Sequence, residues 1–174
     1  MRYLFLTILF ASNLLFTQET VRVNTGLSSI SYSGKHFLHS WDSENTNISG
    51  IIEVDGKKIS NLGVVAKVIG FKSGNSNLDS NSYRVLEALK FPNIIFRSSN
   101  IEYENEQLFI KGILNFHGVE KEISTNFIQT EEINRIILTG SFIISLGEFN
   151  VDRPSLLLRK IDDQIEVQVK LVFR

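Results

Sequence analysis

Cysteine is absent from the 174-residue sequence, which excludes disulfides, thiol catalysis and thiolate metal sites together. Proline occurs only as Pro92 and Pro154, and tryptophan only as Trp41. Charge of one sign is also missing: 18 Lys and Arg face 19 Asp and Glu, a net charge of -1, and no basic run supplies a local field. Without one there is nothing to concentrate phosphates, so nucleic acid is excluded as a partner. No phosphate loop, dinucleotide fingerprint, Gly-x-Ser-x-Gly elbow or His-Glu-x-x-His element occurs. The sequence therefore assigns no catalytic residue, cofactor or metal, and the chain reads as a non-enzyme. What it holds is 43% hydrophobic and 21% charged residues, an ordinary globular balance with enough length for one core.

Arg2 is followed by an apolar run from Leu4 to Phe10 that only Thr7 interrupts. Ser12 and Asn13 then break the pattern, well short of the roughly 20 apolar residues a membrane helix requires. A secretory signal peptide over residues 1–17 fits this arrangement, leaving residues 18–174 as one exported domain, periplasmic or secreted. An uncleaved anchor or a buried first element is the alternative.

Beyond that point, runs of Val, Ile, Thr and Phe alternate with short Gly, Asn, Asp and Ser punctuation, an all-β pattern. In the last run Ile165, Val167, Val169, Leu171 and Phe173 share one face, with Glu166, Gln168 and Lys170 on the other. The same period two governs Leu108 to Phe116 and Ile136 to Ser145. Further strands are expected over Ser28 to Phe37, Glu44 to Val54, Ile59 to Phe71, Asn93 to Tyr103 and Val119 to Gln129, with a short one near Glu19 to Asn24. Asp55-Gly56 and His117-Gly118 read as tight hairpin turns. One stretch leaves period two: Asp79-Ser80-Asn81 offers capping oxygens, Tyr83, Leu86 and Leu89 follow at helical spacing, and Pro92 ends the run. A helix from Ser80 to Leu89 is predicted. The expected fold is an antiparallel, closed or nearly closed β-barrel of about eight strands with one short α-helix, which hides the strand edges.

A barrel of that size can be filled by side chains or can hold one small ligand. Pattern alone favours the filled core, since any half-buried sheet requires alternating hydrophobics. Order and spacing of several motifs add to this. The helix, Leu89-Lys90-Phe91-Pro92 and Ile94-Ile95-Phe96-Arg97-Ser98 follow in sequence; Gly112, Leu114, Gly118, Val119 and Lys121 match a Gly-x-Leu-x-x-x-Gly-Val-x-Lys stretch. Phe149 to Pro154, Lys160 to Asp163 and Lys35-His36-Phe37 extend the match over nearly the whole chain after residue 17. The sequence thereby resembles the YceI-like family. It departs from the commoner family pattern before the helix, where Asn77 to Ser82 replaces an Arg-Asp-x-His element, so no head-group contact carries over from there.

The resemblance implies a lipocalin-like barrel whose pore binds a polyisoprenoid chain or an isoprenoid quinone, without turnover. Inward positions expected to line that lumen are Ile30, Tyr32, Val64, Ala66, Val68, Ile94, Phe96, Leu114, Phe142 and Val169, with space at Gly112 and Gly140. Storage or exchange of lipid in the cell envelope, with transient contact to a membrane surface, would be the role. The competing reading is a non-catalytic envelope stress or structural protein with a filled barrel and a protein partner.

His36 and His39, near Asp42 and Glu44, invite a metal reading. An extended strand would point the two rings to opposite faces, so a turn between them explains them better. His117 reads as a hairpin residue, Trp41 as a candidate for the barrel mouth, and Arg153 as a partner for Asp152, Asp162 or Asp163.

Overall fold

The computed structural model describes residues 18–105 and 107–174; the expected signal peptide lies outside them. Its strands are β1 (Glu19–Arg22), β2 (Ser29–His36), β3 (His39–Asn45), β4 (Ile48–Asp55), β5 (Lys58–Lys67), β6 (Asn93–Glu104), β7 (Gln107–Phe116), β8 (Val119–Glu132), β9 (Arg135–Ser145), β10 (Ser155–Leu156), β11 (Arg159–Lys160) and β12 (Gln164–Phe173). Helix α1 spans Ser76–Val85 between β5 and β6. Ten strands form one curled antiparallel sheet in the order β1-β4-β5-β6-β7-β8-β9-β12-β2-β3, and β10 and β11 form a separate hairpin.

The ends of this sheet come round to meet. Val23 bridges Phe173, and Glu44 at the other edge bridges Lys72 just beyond β5. Those bridges exchange short backbone bonds, Arg174 N to Arg22 O at 3.0 Å and Glu44 N to Lys72 O at 2.9 Å, so donors at both edges are used internally. The expected antiparallel barrel-like fold with one helix is thus found, built from more strands than the eight the sequence suggested.

Alternation explains why these segments pair as they do. Along β7, Leu108, Ile110, Gly112, Leu114 and Phe116 are buried while Gln107, Phe109, Lys111 and Ile113 are exposed. Along β12, Ile165, Val169, Leu171 and Phe173 are buried against Ile144, Gly140, Leu138 and Ile136 of β9. A one-residue slip would invert every one of these faces. The inner faces divide into two clusters, one around Ile52, Leu108, Leu138 and Phe173, and one around Leu114, Phe116, Phe149 and Ile165. No helix among the described residues is long and apolar enough to cross a membrane.

Three expectations are corrected. The single strand expected from Glu44 to Val54 is two, β3 and β4, because fully buried Asn45 turns the chain by accepting from Asn47 N at 2.8 Å and donating to Lys67 O at 3.0 Å. The strand expected to reach Phe71 ends at Lys67, and Val68–Gly70 form a 3-10 turn. The helix starts four residues earlier than expected, capped by Asn75 rather than Asp79: Asn75 Oδ1 accepts from Asn77 N at 3.0 Å and Leu78 N at 3.1 Å. It also stops earlier, at Val85. Ala88 N donates to Tyr83 O and Glu87 N to Arg84 O, with Glu87 left-handed at φ 45°, which is a Schellman ending. Leu89 consequently stands outside the helix, fully exposed.

Candidate functional site

The curled sheet leaves a cavity of about 420 Å³ between the two core clusters and the helix. This volume falls within the roughly 300–1,000 Å³ of small-molecule sites. From β2 come Ile30 and Tyr32, from β5 Val64 and Ala66, from β6 Ile94 and Phe96, and from β7, β9 and β12 Leu114, Phe142 and Val169. All nine were expected on inward faces, and the structure brings them into one wall.

Val68, Gly112 and Gly140 are corrected: none of them lines the cavity. Val68 is buried in the 3-10 turn after β5. The room at the glycines is already taken. A Cβ on Gly112 would lie 2.6 Å from both Phe96 Cζ and Arg97 O; one on Gly140 would lie 2.6 Å from Asn126 O and 2.8 Å from Phe127 Cδ1. Cross-strand pairing sets this up, since Phe127 sits directly opposite Gly140. Phenylalanine at either glycine would therefore collide with the wall instead of plugging the lumen.

One end of the cavity is polar. His36, His39 and Trp41 of the β2–β3 hairpin reach it, facing Asn81, Ser82 and Arg84 on the helix. His36 and His39 do meet across a turn, paired in register with ring centroids 5.8 Å apart. Trp41 lies on Gly34, whose missing Cβ would stand 2.3 Å from the indole Cζ2. Buried His36 places Nε2 3.2 Å from Arg159 O; a carbonyl only accepts, so this nitrogen donates. Its Nδ1 and Trp41 Nε1 are buried without a hydrogen-bond partner among the described residues, and so is Oγ1 of Thr125, which also lines the cavity. Such atoms in an apolar wall favour a ligand that brings a polar group to them. No three His, Cys, Asp or Glu side chains converge to hold a metal among the described residues.

Two carboxylates fix the elements around this end. Asp79 accepts from Ser73 Oγ at 2.6 Å and Ser73 N at 2.8 Å, tying α1 to the loop before it. The Ser73 hydroxyl, followed by its backbone N–H and Lys72, holds the carboxyl below its ordinary range. Although Asp79 is only 9% exposed, its own loop and helix cover it, and it stays at the protein's periphery. Asp163 accepts from Ser145 Oγ and from Gly147 N, and Arg153 Nε stands 3.3 Å away. The Ser145 hydroxyl is the main cause of its lowered pKa, with Gly147 N and Arg153 adding to it. Of the three acids considered for Arg153, Asp163 is thus its partner. His117 occupies the hairpin turn at φ 51°, next to Gly118 at φ 74°. Its Nδ1 lies 3.1 Å from Phe149 O, and its Nε2 3.0 Å from Glu87 Oε2, away from the cavity wall.

A family model described as the YceI-like domain matches residues 22–173. The chain belongs to the YceI-like family. Among solved structures similar in shape, BcnA of Burkholderia cenocepacia superposes with a TM-score of 0.79 at 17% identity, covering 86% of this chain and 98% of that one. A polyisoprenoid-binding domain from Saccharophagus degradans, implicated in plant cell wall breakdown, gives 0.76 at 12% identity over 91% of this chain and 99% of that one. The YceI protein of Campylobacter jejuni gives 0.63 at 20% identity, covering 72% and 79%. At these identities the likeness shows the fold. No curated protein matches the sequence.

Several lining residues escaped the sequence reading. Phe116, Phe127, Ile165 and Leu171 obey the same alternation and could have been added from it. Leu78, Asn81, Ser82 and Arg84 could not, because they depend on where α1 begins and how it lies over the barrel end.

Proposed function

We propose that this YceI-like protein is a non-catalytic carrier that holds a long apolar lipid, a polyisoprenoid chain or isoprenoid quinone, in its barrel cavity. The observation that carries this reading is the open, carbon-lined space, whose wall joins the inward faces of β2, β5, β6, β7, β9 and β12. The description of the Saccharophagus domain as polyisoprenoid-binding supports the same ligand class. An isoprenoid in water would expose apolar surface at about 0.8 kcal/mol per CH2, so movement through an aqueous space requires a sheath. A membrane offers equal shelter, which suits a carrier that both loads and unloads. Export, with removal of residues 1–17, places that carrier in the envelope or outside the cell.

Mass spectrometry of organic extracts from protein purified from the envelope fraction of its own host tests the ligand. A prenyl lipid near one mole per mole of protein is expected. Protein that is folded and exported, yet carries and takes up no lipid, would overturn the reading. N-terminal sequencing of the same protein tests export, with intact Met1 as the result against it.

A further inference from the structure

Exposed large hydrophobics normally lie scattered singly over a surface. Here four gather on two neighbouring hairpin tips. The turn between β2 and β3 exposes Phe37 and Leu38 by 50% and 54%, and the turn between β10 and β11 exposes Leu157 and Leu158 by 70% and 101%. The tips are joined: His36 Nε2 meets Arg159 O, the Arg159 guanidinium lies 4.8 Å over the Phe37 ring, and Asp162 N donates to Lys35 O at 2.9 Å. Both hairpins border the cavity's polar end, which His36, Trp41, Pro154, Ser155 and Ile161 line.

The β10–β11 backbone makes this arrangement more telling. Leu157 and Leu158 are both left-handed, at φ 51° and 66°, in a two-residue turn closed by the Leu156–Arg159 pair. Turns of that geometry favour Asn-Gly or Asp-Gly, because a side chain with a Cβ is strained at positive φ. A fully exposed leucine makes no contact in the folded domain that offsets such strain. It does give the tip an apolar surface.

We propose that these two tips insert into the head-group boundary of a lipid bilayer carrying anionic lipids and so dock this end of the cavity on the membrane. Aliphatic and aromatic tips flanked by Arg and Lys suit that boundary, where stems are buried and charged heads meet lipid phosphates. Lys35 and Arg159 flank the patch without an ion pair among the described residues, while Lys160 pairs with Asp152 at 3.5 Å, Asp163 is engaged by Arg153 at 3.3 Å, and Asp162 is a further acid beside them. The attraction to anionic lipid is consequently modest and assists the apolar contact. Docked in this way, an apolar chain passes from the acyl layer to the cavity without crossing water. The inference rests on the lipid-carrier reading and adds to it the surface through which loading occurs.

The test uses the full chain purified from its own host and sedimented with vesicles of phosphatidylcholine, with or without phosphatidylglycerol. Parent protein should partition onto both and more strongly onto the second. The double variant Leu157→Asn, Leu158→Gly installs a favoured turn, so it should fold at least as well while partitioning about tenfold or more weakly, as loss of two buried leucines requires. Phe37→Ser should weaken partitioning independently. Vesicle binding by the folded double variant equal to the parent's would overturn the proposal. So would a parent that ignores every vesicle while its tips are needed to capture a protein. A parent that binds vesicles through the tips but never acquires prenyl lipid from them sinks the carrier reading and leaves the docking surface standing.

Discussion

Ala66→Phe separates an open lumen from a filled barrel by the sign of its effect on folding. Ala66 lies on β5 between Ile48 of β4 and Ile94 of β6, is 3% exposed and faces the cavity. A phenyl ring needs about 150 Å³, the size of a cavity that accommodates benzene. That is over a third of the 420 Å³ present. Filling about 150 Å³ of apolar void at ~24 cal/mol per Å³ would stabilise the lipid-free protein by at most ~4 kcal/mol. In a packed interior the same change would instead cost about 1–3 kcal/mol through overpacking. For the ligand, expelling one five-carbon unit forfeits roughly 4 kcal/mol of burial. Lipid affinity should then fall by a hundredfold or more, since about 1.4 kcal/mol is tenfold. Urea midpoints of delipidated protein and lipid recovered per mole of folded protein give the two readouts. A variant that is destabilised yet keeps its lipid would refute the reasoning.

Gly140→Phe should behave in the opposite way to Ala66→Phe, losing stability at or beyond the upper end of the roughly 1–3 kcal/mol overpacking range, because its Cβ meets Asn126 O and the Phe127 ring; chemical denaturation reads this directly. Asn75→Ala should cost about 0.5–2 kcal/mol by removing the cap on α1, with the loss visible in thermal melts. Asp163 is held below its ordinary pKa of 3.8, so its contribution to stability is present above that value and disappears as pH falls through the lower folded value. Asp163→Asn should therefore lower the melting temperature at neutral pH and flatten its decline below about pH 4, where the parent's unfolded chain takes up a proton that the folded protein does not; an unchanged acid slope would show that Asp163 is not a contributor.

The strands that the sequence displayed best, β7, β9 and β12, are those with a continuous apolar face against the core, because burial of one face enforces period two. β3 was invisible for the converse reason. It is an edge strand reading His-Ser-Trp-Asp-Ser-Glu-Asn, held by pairing with β2 and by the close approach of Trp41 to Gly34 rather than by an apolar face. The helix stop was hidden because Glu87 holds the left-handed position where glycine is the usual signal, and the start because Asp79, a good capping residue by type, is spent on Ser73. The site shows the same limit more sharply. Periodicity tells which face a residue occupies, so Ile30, Val64, Phe142 and Val169 could be placed on the wall, but it says nothing about how far neighbouring side chains reach inward. That depends on cross-strand register. Phe127 opposite Gly140, and Phe96 beside Gly112, lay their rings against backbone that has no side chain. Were those glycines larger, the added carbon would meet both these rings and the carbonyls of Arg97 and Asn126, so the wall itself would have to shift. The two glycines thus accommodate two of the rings that line the cavity, though neither lines it.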